Sequence, residues 1–396
     1  MPASVDVDHT SPGFGLYVHW PFCESKCPYC DFNSHVAAYV DHDRWRRALL
    51  QELSDAASEF PGAGLRKLTS IFFGGGTPSL AEPETIAAVI EEARRLFPVA
   101  EDLEITMEAN PSSIEAARFA AYQRAGVNRV SVGIQSLDDE ALRFLGRRHD
   151  RASALTAIEI AQSSFARSSF DLICARPGQR PDDWERELSD ALSLAADHLS
   201  IYQLTIESGT PFSRDGVPSA DEETGAAIFD LTRTMTADAG LEAYEISNHA
   251  KPGNACRHNL TCWRGGGYLG IGPGAHGRLR LPAGWVAEHR IHNPGRWLAA
   301  VEDKGHGRAK RMTLDATERG HEVIMTGLRL SGGLKTADLE AATGLPMADL
   351  IDPGGLSRLI DGGLIEKTPD GIVATGEGRL RLNAVIGMLI TGFAAA

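Results

Sequence analysis

Six short β-rich runs recur between residues 15 and 207, with helical stretches between them. The runs cover residues 15–19, 68–73, 103–108, 129–133, 168–173 and 198–204. Amphipathic segments span 43–56, 84–96, 113–125 and 183–195. Strands alternating with helices specify an α/β fold with a parallel sheet built of βα units. Six repeats of the unit fit a partial (βα)6 barrel, and a flat doubly wound sheet is the alternative. In a barrel the chemistry sits where strands end and loops begin. Here those positions carry Cys23 to Cys30, Gly74-Gly-Gly-Thr-Pro78, Glu108-Ala-Asn-Pro111 and Gln135, while Asp171 lies within the fifth run.

The loop after the first run reads Cys23-Glu-Ser-Lys-Cys27-Pro-Tyr-Cys30. Three thiolates on one short loop can hold an iron–sulfur cluster but cannot complete it, because clusters normally take four. One iron would stay open, as in a catalytic metal site. Spacing alone also admits zinc, with His19 or His35 as the fourth ligand of a Cys3His set. A disulfide fits poorly. The chain opens MPASVDVDHT, without a basic start or an apolar signal run, so a cytoplasmic location is expected, and disulfides are rare there. Cys174, Cys256 and Cys262 are scattered and read as small buried hydrophobes.

Among the 396 residues, 43% are hydrophobic and 23% charged, an ordinary balance for a soluble globular protein. No apolar stretch reaches the ~18 residues of a membrane span. The apolar tail from Asn383 onward is short and reads as a terminal helix or a partner-facing surface. The net charge of −14 argues against broad nucleic-acid binding. Four regions are expected: a flexible N-terminus (1–14), the barrel core (15–215), an irregular extension rich in glycine (216–310), and a helical, winged-helix-like C-terminal domain (311–396). The acidic balance makes that last domain a structural or docking module rather than a DNA reader.

Individually the rim residues say less. A glycine run after a strand lets backbone amides approach a ligand, because no Cβ intervenes. A carboxylate such as Asp171, set in an apolar strand, needs a partner. His258, in His258-Asn-Leu-Thr-Cys-Trp263, fits either a capping residue or a ligand. Trp263 and Tyr268 offer flat faces that suit a macrocycle or a core equally.

Together these features resemble the radical S-adenosylmethionine superfamily, in the branch related to oxygen-independent coproporphyrinogen oxidase, and within it the HemW family of heme chaperones. The motifs that carry the likeness are Cys23-Glu-Ser-Lys-Cys27-Pro-Tyr-Cys30-Asp-Phe-Asn-Ser-His35, Phe73-Gly-Gly-Gly-Thr-Pro-Ser79, Val132-Gly-Ile-Gln-Ser136 and His258-Asn-Leu-Thr-Cys-Trp263. The resemblance implies that Cys23, Cys27 and Cys30 ligate a 4Fe–4S cluster whose open iron takes S-adenosylmethionine. Tyr17, Gly75, Gly76, Thr77, Glu108, Gln135, Arg147 and Asp171 match positions around that nucleotide. Heme is the implied ligand, with His258 as a candidate for its iron, and hemoproteins such as respiratory enzymes are the implied recipients. A homodimer and a peripheral membrane association stay open.

Two departures separate this chain from the oxidase. Phe32 stands where the oxidase motif continues with a further cysteine, and only about 14 residues precede the first strand. Coproporphyrinogen oxidase activity is therefore not expected. Two others fall on the substrate side. Cys262 replaces the family's tyrosine. Arg176 replaces an apolar residue, where it is expected to meet a nucleotide or propionate carboxylate, or solvent.

Overall fold

The structure is a computed structural model and describes residues 12–60 and 66–390. The N-terminus, expected to be flexible, falls largely outside these residues. Six strands run parallel: β1 (Phe14–Trp20), β2 (Leu68–Gly75), β3 (Val99–Ala109), β4 (Arg129–Gln135), β5 (Arg167–Cys174) and β6 (His198–Gln203). A helix follows each: α1 (His42–Ser58), α2 (Pro83–Leu96), α3 (Ser113–Arg124), α4 (Arg151–Ser164), α5 (Pro181–Leu194) and α6 (Glu222–Asp238). The strands sit side by side in chain order. A doubly wound sheet would reverse its order at a switch point, and this one does not. The outcome is the partial barrel.

Each strand divides its side chains by the two-residue period of extended backbone. In β1, Leu16, Val18 and Trp20 join the core under the helices. There α1 supplies Trp45, Leu49 and Leu53, and the Trp20 and Trp45 rings meet edge to face at 5.9 Å. Tyr17 and His19 face the other way, into the barrel. The helices start where the sequence provides caps: Asp41 accepts from Arg44 N, and Asp150 from Ser153 N.

The stretch from 216 to 310, expected to be irregular, is largely regular. Beyond α6 it contributes β7 (Glu242–Ala243), β8 (Asn248–Ala250), helix α7 (Arg257–Trp263), β9 (Gly267–Ile271), β10 (His276–Leu281), β11 (Gly284–Arg290), helix α8 (Pro294–Lys304) and, at its end, β12 (Arg308–Leu314). Twelve strands form one sheet in the order β12-β11-β10-β9-β1-β2-β3-β4-β5-β6-β8-β7. β9 lies parallel to β1, and β10 to β12 return antiparallel. Glycines hid this regularity in the sequence, and the fold shows why they are needed. A Cβ on Gly270 would lie 1.9 Å from His276 O, and one on Gly272 2.3 Å from His19 O. Glycine inside a strand marks such close backbone approach.

The C-terminal part holds α9 (Ala316–Gly327), β13 (Leu334–Lys335), α10 (Thr336–Thr343), α11 (Pro353–Asp361) and a hairpin of β14 (Ile365–Thr368) and β15 (Gly371–Ala374). β13 pairs with β15. These elements form a winged-helix-like unit with a core of its own, including Val323, Ile324, Leu359, Ile372 and Ile386. The apolar tail begins as helix α12 (Leu382–Leu389), which buries Val385, Ile386 and Leu389 in that core. Among the described residues no helix is long and apolar enough to cross a membrane.

A buried ion pair ties the extension to the barrel. Glu52 of α1 is fully buried and accepts from Gly272 N at 2.8 Å, Gly307 N at 2.7 Å and Trp297 Nε1 at 3.0 Å. Arg290 Nε lies 3.3 Å from its other side. Removing Glu52 leaves the Gly272 and Gly307 amides and the Trp297 indole buried without their acceptor, while Arg290 keeps Glu288 at 3.0 Å. Glu52→Ala is therefore expected to lower unfolding stability by roughly 3–5 kcal/mol, measured by urea denaturation of the full chain.

Candidate functional site

A cavity of about 270 Å³ opens at the C-terminal ends of the barrel strands. Cys23, Cys27 and Cys30 form one wall, and Gly75, Gly76, Thr77, Glu108, Gln135, Arg147 and Asp171 lie around the rest. Of the expected cofactor residues only Tyr17 lies outside the lining. It sits on the barrel floor, its hydroxyl 3.0 Å from His19 Nδ1, and a Cβ on Gly74 would lie 3.0 Å from its ring.

The cysteine loop is held from several sides. Cys30 N donates to Cys27 O at 3.1 Å. Thr77 Oγ1 donates to Cys23 Sγ at 3.3 Å and accepts from Asn110 Nδ2 at 3.0 Å. Arg147 places one terminal nitrogen 3.5 Å from Cys27 Sγ and the other 2.8 Å from Asn110 Oδ1 and 2.7 Å from Gly133 O. Its Nε is buried with no hydrogen-bond partner among the described residues. Asn110 thus joins Thr77 to Arg147, and both reach the cysteines. No sequence feature singled out Asn110, because its importance lies in contacts between loops far apart in the chain.

The glycine run works differently from the sequence expectation. Gly75 N donates to Glu108 Oε2 at 3.2 Å, Gly76 N to Trp20 O at 2.7 Å and Thr77 N to Phe22 O at 2.8 Å. These amides are engaged within the protein, and what the glycines supply is clearance. A Cβ on Gly76 would lie 2.7 Å from Phe22 O, and Gly75 takes φ +112°. Gln135 adopts φ +71°, a conformation side chains seldom take, at the end of β4.

Two carboxylates share the cavity floor. Burial, with the nearby Asp171 charge adding to it, pushes Glu108 up to about 8, against the opposing pull of the Gly75 amide. Burial likewise raises Asp171, though hydrogen bonds from Ser200 and Ser131 oppose the shift. A site that holds two carboxylates against their charge is prepared for a cation. Burial also raises the Cys23 and Cys30 thiols, and Thr77 and the Phe32 backbone respectively are the main opposing influences.

The donor set fits the expected groups. Three thiols on one loop, a guanidinium beside Cys27 and paired carboxylates across the cavity suit an anionic cluster beside a zwitterionic, cationic ligand. Among the described residues no three His, Cys, Asp or Glu side chains are arranged to hold a single metal ion. A cluster instead gives each thiolate its own iron, so its thiols need not converge on one point.

Arg176 corrects an expectation. It is buried, pairs with Glu187 Oε2 at 2.5 Å and donates to Ile173 O at 2.9 Å. It lies outside the cavity and lines a separate groove together with Gln179 and Glu187, where the loop after β5 bends at Ala175, φ +53°.

His258 also lies outside the cavity, on α7, which plugs the barrel interior at the opposite end. Its Nδ1 is 3.2 Å from Ser70 Oγ, and the Phe72 ring stacks on it at 5.0 Å. Burial lowers its pKa to about 4. The rest of the motif serves the same plug: Arg257 N donates to the buried Glu104 at 2.8 Å, and Asn259 Nδ2 donates to Tyr244 Oη at 3.2 Å. Cys174 and Cys256 are buried, as expected, while Cys262 is partly exposed.

Two family profiles match the sequence: the Radical SAM superfamily over residues 17–191, and the HemN C-terminal domain over residues 314–381. The mitochondrial Radical S-adenosyl methionine domain-containing protein 1 of Bos taurus is 42% identical over 329 residues, spanning 81% of this chain and 74% of its own. The heme chaperone HemW of Escherichia coli is 38% identical over 387 residues, spanning 96% and 98%. Among solved structures, coproporphyrinogen III oxidase (HemN) of Escherichia coli superposes with a TM-score of 0.80 at 22% identity, over 97% of this chain and 92% of that one. That likeness speaks to fold alone.

The raised Glu108 has a measurable consequence. Unfolded, the carboxyl ionises near 4.5; folded, near 8. Its ionisation therefore opposes folding increasingly between those pH values, and not below them. Glu108→Gln is expected to be roughly 1–3 kcal/mol more stable than the unaltered chain at pH 8 and equal to it near pH 4. Chemical denaturation at the two pH values checks this.

Proposed function

Because the chain belongs to the radical S-adenosylmethionine superfamily, in its HemW-like branch, we propose that it is a heme chaperone. It would bind heme, pass it to recipient hemoproteins, and carry a 4Fe–4S cluster and S-adenosylmethionine in the barrel cavity. The observation that carries the cofactor reading is the convergence of Cys23, Cys27 and Cys30 with Glu108, Asp171 and Arg147 on one cavity. The heme reading is carried by identity along nearly the full length of a relative named for that role.

When bound, cluster and nucleotide together would supply one-electron cleavage of a sulfonium carbon–sulfur bond. The chain's own residues bind and orient. Cys23, Cys27 and Cys30 would each hold one iron, and the Thr77 hydroxyl and the Arg147 guanidinium donate to two of the sulfurs. Such donors are among the influences that set a cluster's potential. Glu108, short of a cation in its buried place, would accept the ligand's ammonium. Arg147 brings a buried positive charge and an unpartnered Nε to the same wall. Tyr202 of β6 faces the cavity from the opposite rim.

The shared fold does not separate chaperone from oxidase, and Phe32 supports the chaperone reading. It occupies the place of the oxidase's additional cysteine, stands 57% exposed and lines the cavity mouth. A phenyl ring there can make an apolar contact but cannot ligate a metal.

Anaerobic reconstitution is expected to give iron and sulfide in the ratio of a 4Fe–4S cluster, and Cys27→Ser is expected to lose that cluster. Added heme is expected to produce a Soret band, and coproporphyrinogen is expected to remain unconverted. Zinc in place of iron after anaerobic isolation would overturn the cofactor reading. Formation of protoporphyrinogen would overturn the chaperone reading.

A further inference from the structure

Three histidines stand together where the sheet meets the cysteine loop, outside the residues that line the cavity. His276 of β10 and His289 of β11 are direct cross-strand partners. Their rings lie 4.0 Å apart at 32°. His292, just past β11, brings its ring to 6.5 Å from His276 at a right angle. Strand register fixes the face they occupy. Tyr17 pairs with Gly270, Tyr268 pairs with Arg278, and His276 lies two residues before Arg278. The two-residue period therefore puts His276 and His289 on the concave face that also carries Tyr17 and His19.

Asn33 of the cysteine loop fastens to this region. Its Nδ2 donates to Pro273 O and to His292 O, both at 2.9 Å, and its Oδ1 lies 3.0 Å from His35 Nε2. The same loop bears an apolar strip. Six large hydrophobic side chains stand exposed among the described residues, and three of them fall within it: Phe32, Val36 at 60% and Tyr39 at 82%. All three fall between residues 32 and 39, on the segment that Asn33 fastens to Pro273 and His292. Lys310, the register partner of His289 on β12, sets a cation beside the histidines.

Taking the heme-binding reading above as its basis, we propose that heme binds on this shelf, with its iron on His276 among His289 and His292 and its flat face on the strip that includes Phe32, Val36 and Tyr39. Imidazole is a standard axial ligand to heme iron. The strip suits the apolar macrocycle, and Lys310 suits a propionate. His258 cannot serve in this fold: Ser70 occupies its Nδ1, Phe72 covers its ring, and α7 seals it inside the barrel. Heme would then lie beside the loop that carries Cys23, Cys27 and Cys30, with Phe32 at the boundary between it and the cavity.

Hemin titration of the cluster-reconstituted full chain, followed at the Soret band, tests this. The triple variant His276→Ala, His289→Ala, His292→Ala is expected to weaken binding about tenfold or more and to move the Soret maximum. Tyr39→Asp is expected to weaken binding while leaving the maximum in place. His258→Asn is expected to keep the unaltered maximum in the folded fraction, which circular dichroism reports. Unaltered affinity and spectrum in the triple variant would overturn the assignment while leaving the heme-chaperone reading standing. Loss of the Soret band in folded His258→Asn alone would overturn it too. Absence of heme uptake by the unaltered chain would overturn both.

Discussion

Backbone meeting backbone without side chains between them is the constraint on which the site depends. The cysteine loop leaves the central strand β1 and passes between two glycine turns, one after β2 and one after β9. Gly76 approaches the loop at Phe22 O and Gly272 approaches β1 at His19 O, while Gly274 makes room for the side-chain amide of Asn33. Any Cβ at these positions would fall between 2.3 and 2.7 Å of its neighbour. Gly272 and Gly274 also take φ of +91° and +79°, where side chains are strained. The loop is thus gripped by the barrel on one side and by the later extension on the other. This explains why β9 to β12 join the barrel sheet instead of forming a separate body.

The charges are arranged by the same economy of space. Glu104 is buried at the barrel floor, where it meets Arg167 at 2.6 Å and the first amide of α7. Glu52 is buried behind β9 and meets Arg290 and two backbone amides. Both are satisfied inside the fold, so both are structural. Glu108 has one backbone amide and a like charge nearby. Buried carboxylates that share a site disfavour each other's ionisation. The contrast between Glu52, met from every side, and Glu108, left wanting a cation, separates framework from site.

Much of this was legible in the sequence. The six strands and the rim placement of the cysteines, Glu108 and Gln135 follow from a period of βα units, which is local information. What failed to show depended on contacts between distant segments. The glycines of 265–277 read as irregularity because glycine lowers strand propensity, and only the approach of His19 and His276 reveals their purpose. Arg176 read as a rim or surface charge because Glu187, its partner, lies on the following helix α5 and turns toward it only in the fold. His258 read as either a capping residue or a ligand, because a motif gives residue identity without depth. The cross-strand meeting of His276 and His289 needs a hairpin register that the sequence does not supply.

Phe32 brings these points together. The chain shares its fold with an oxidase, so the barrel and the glycine turns leave the two activities undistinguished. A fourth thiol at this position would point chemistry into the cavity. A phenyl ring, more than half exposed at the mouth, presents instead an apolar surface continuous in sequence with Val36 and Tyr39. Burying such surface is favourable by about 25 cal/mol per Å², so these side chains favour an apolar partner. Phe32 thus leaves the loop with three thiols toward the cavity and sets an apolar side chain at the cavity's mouth.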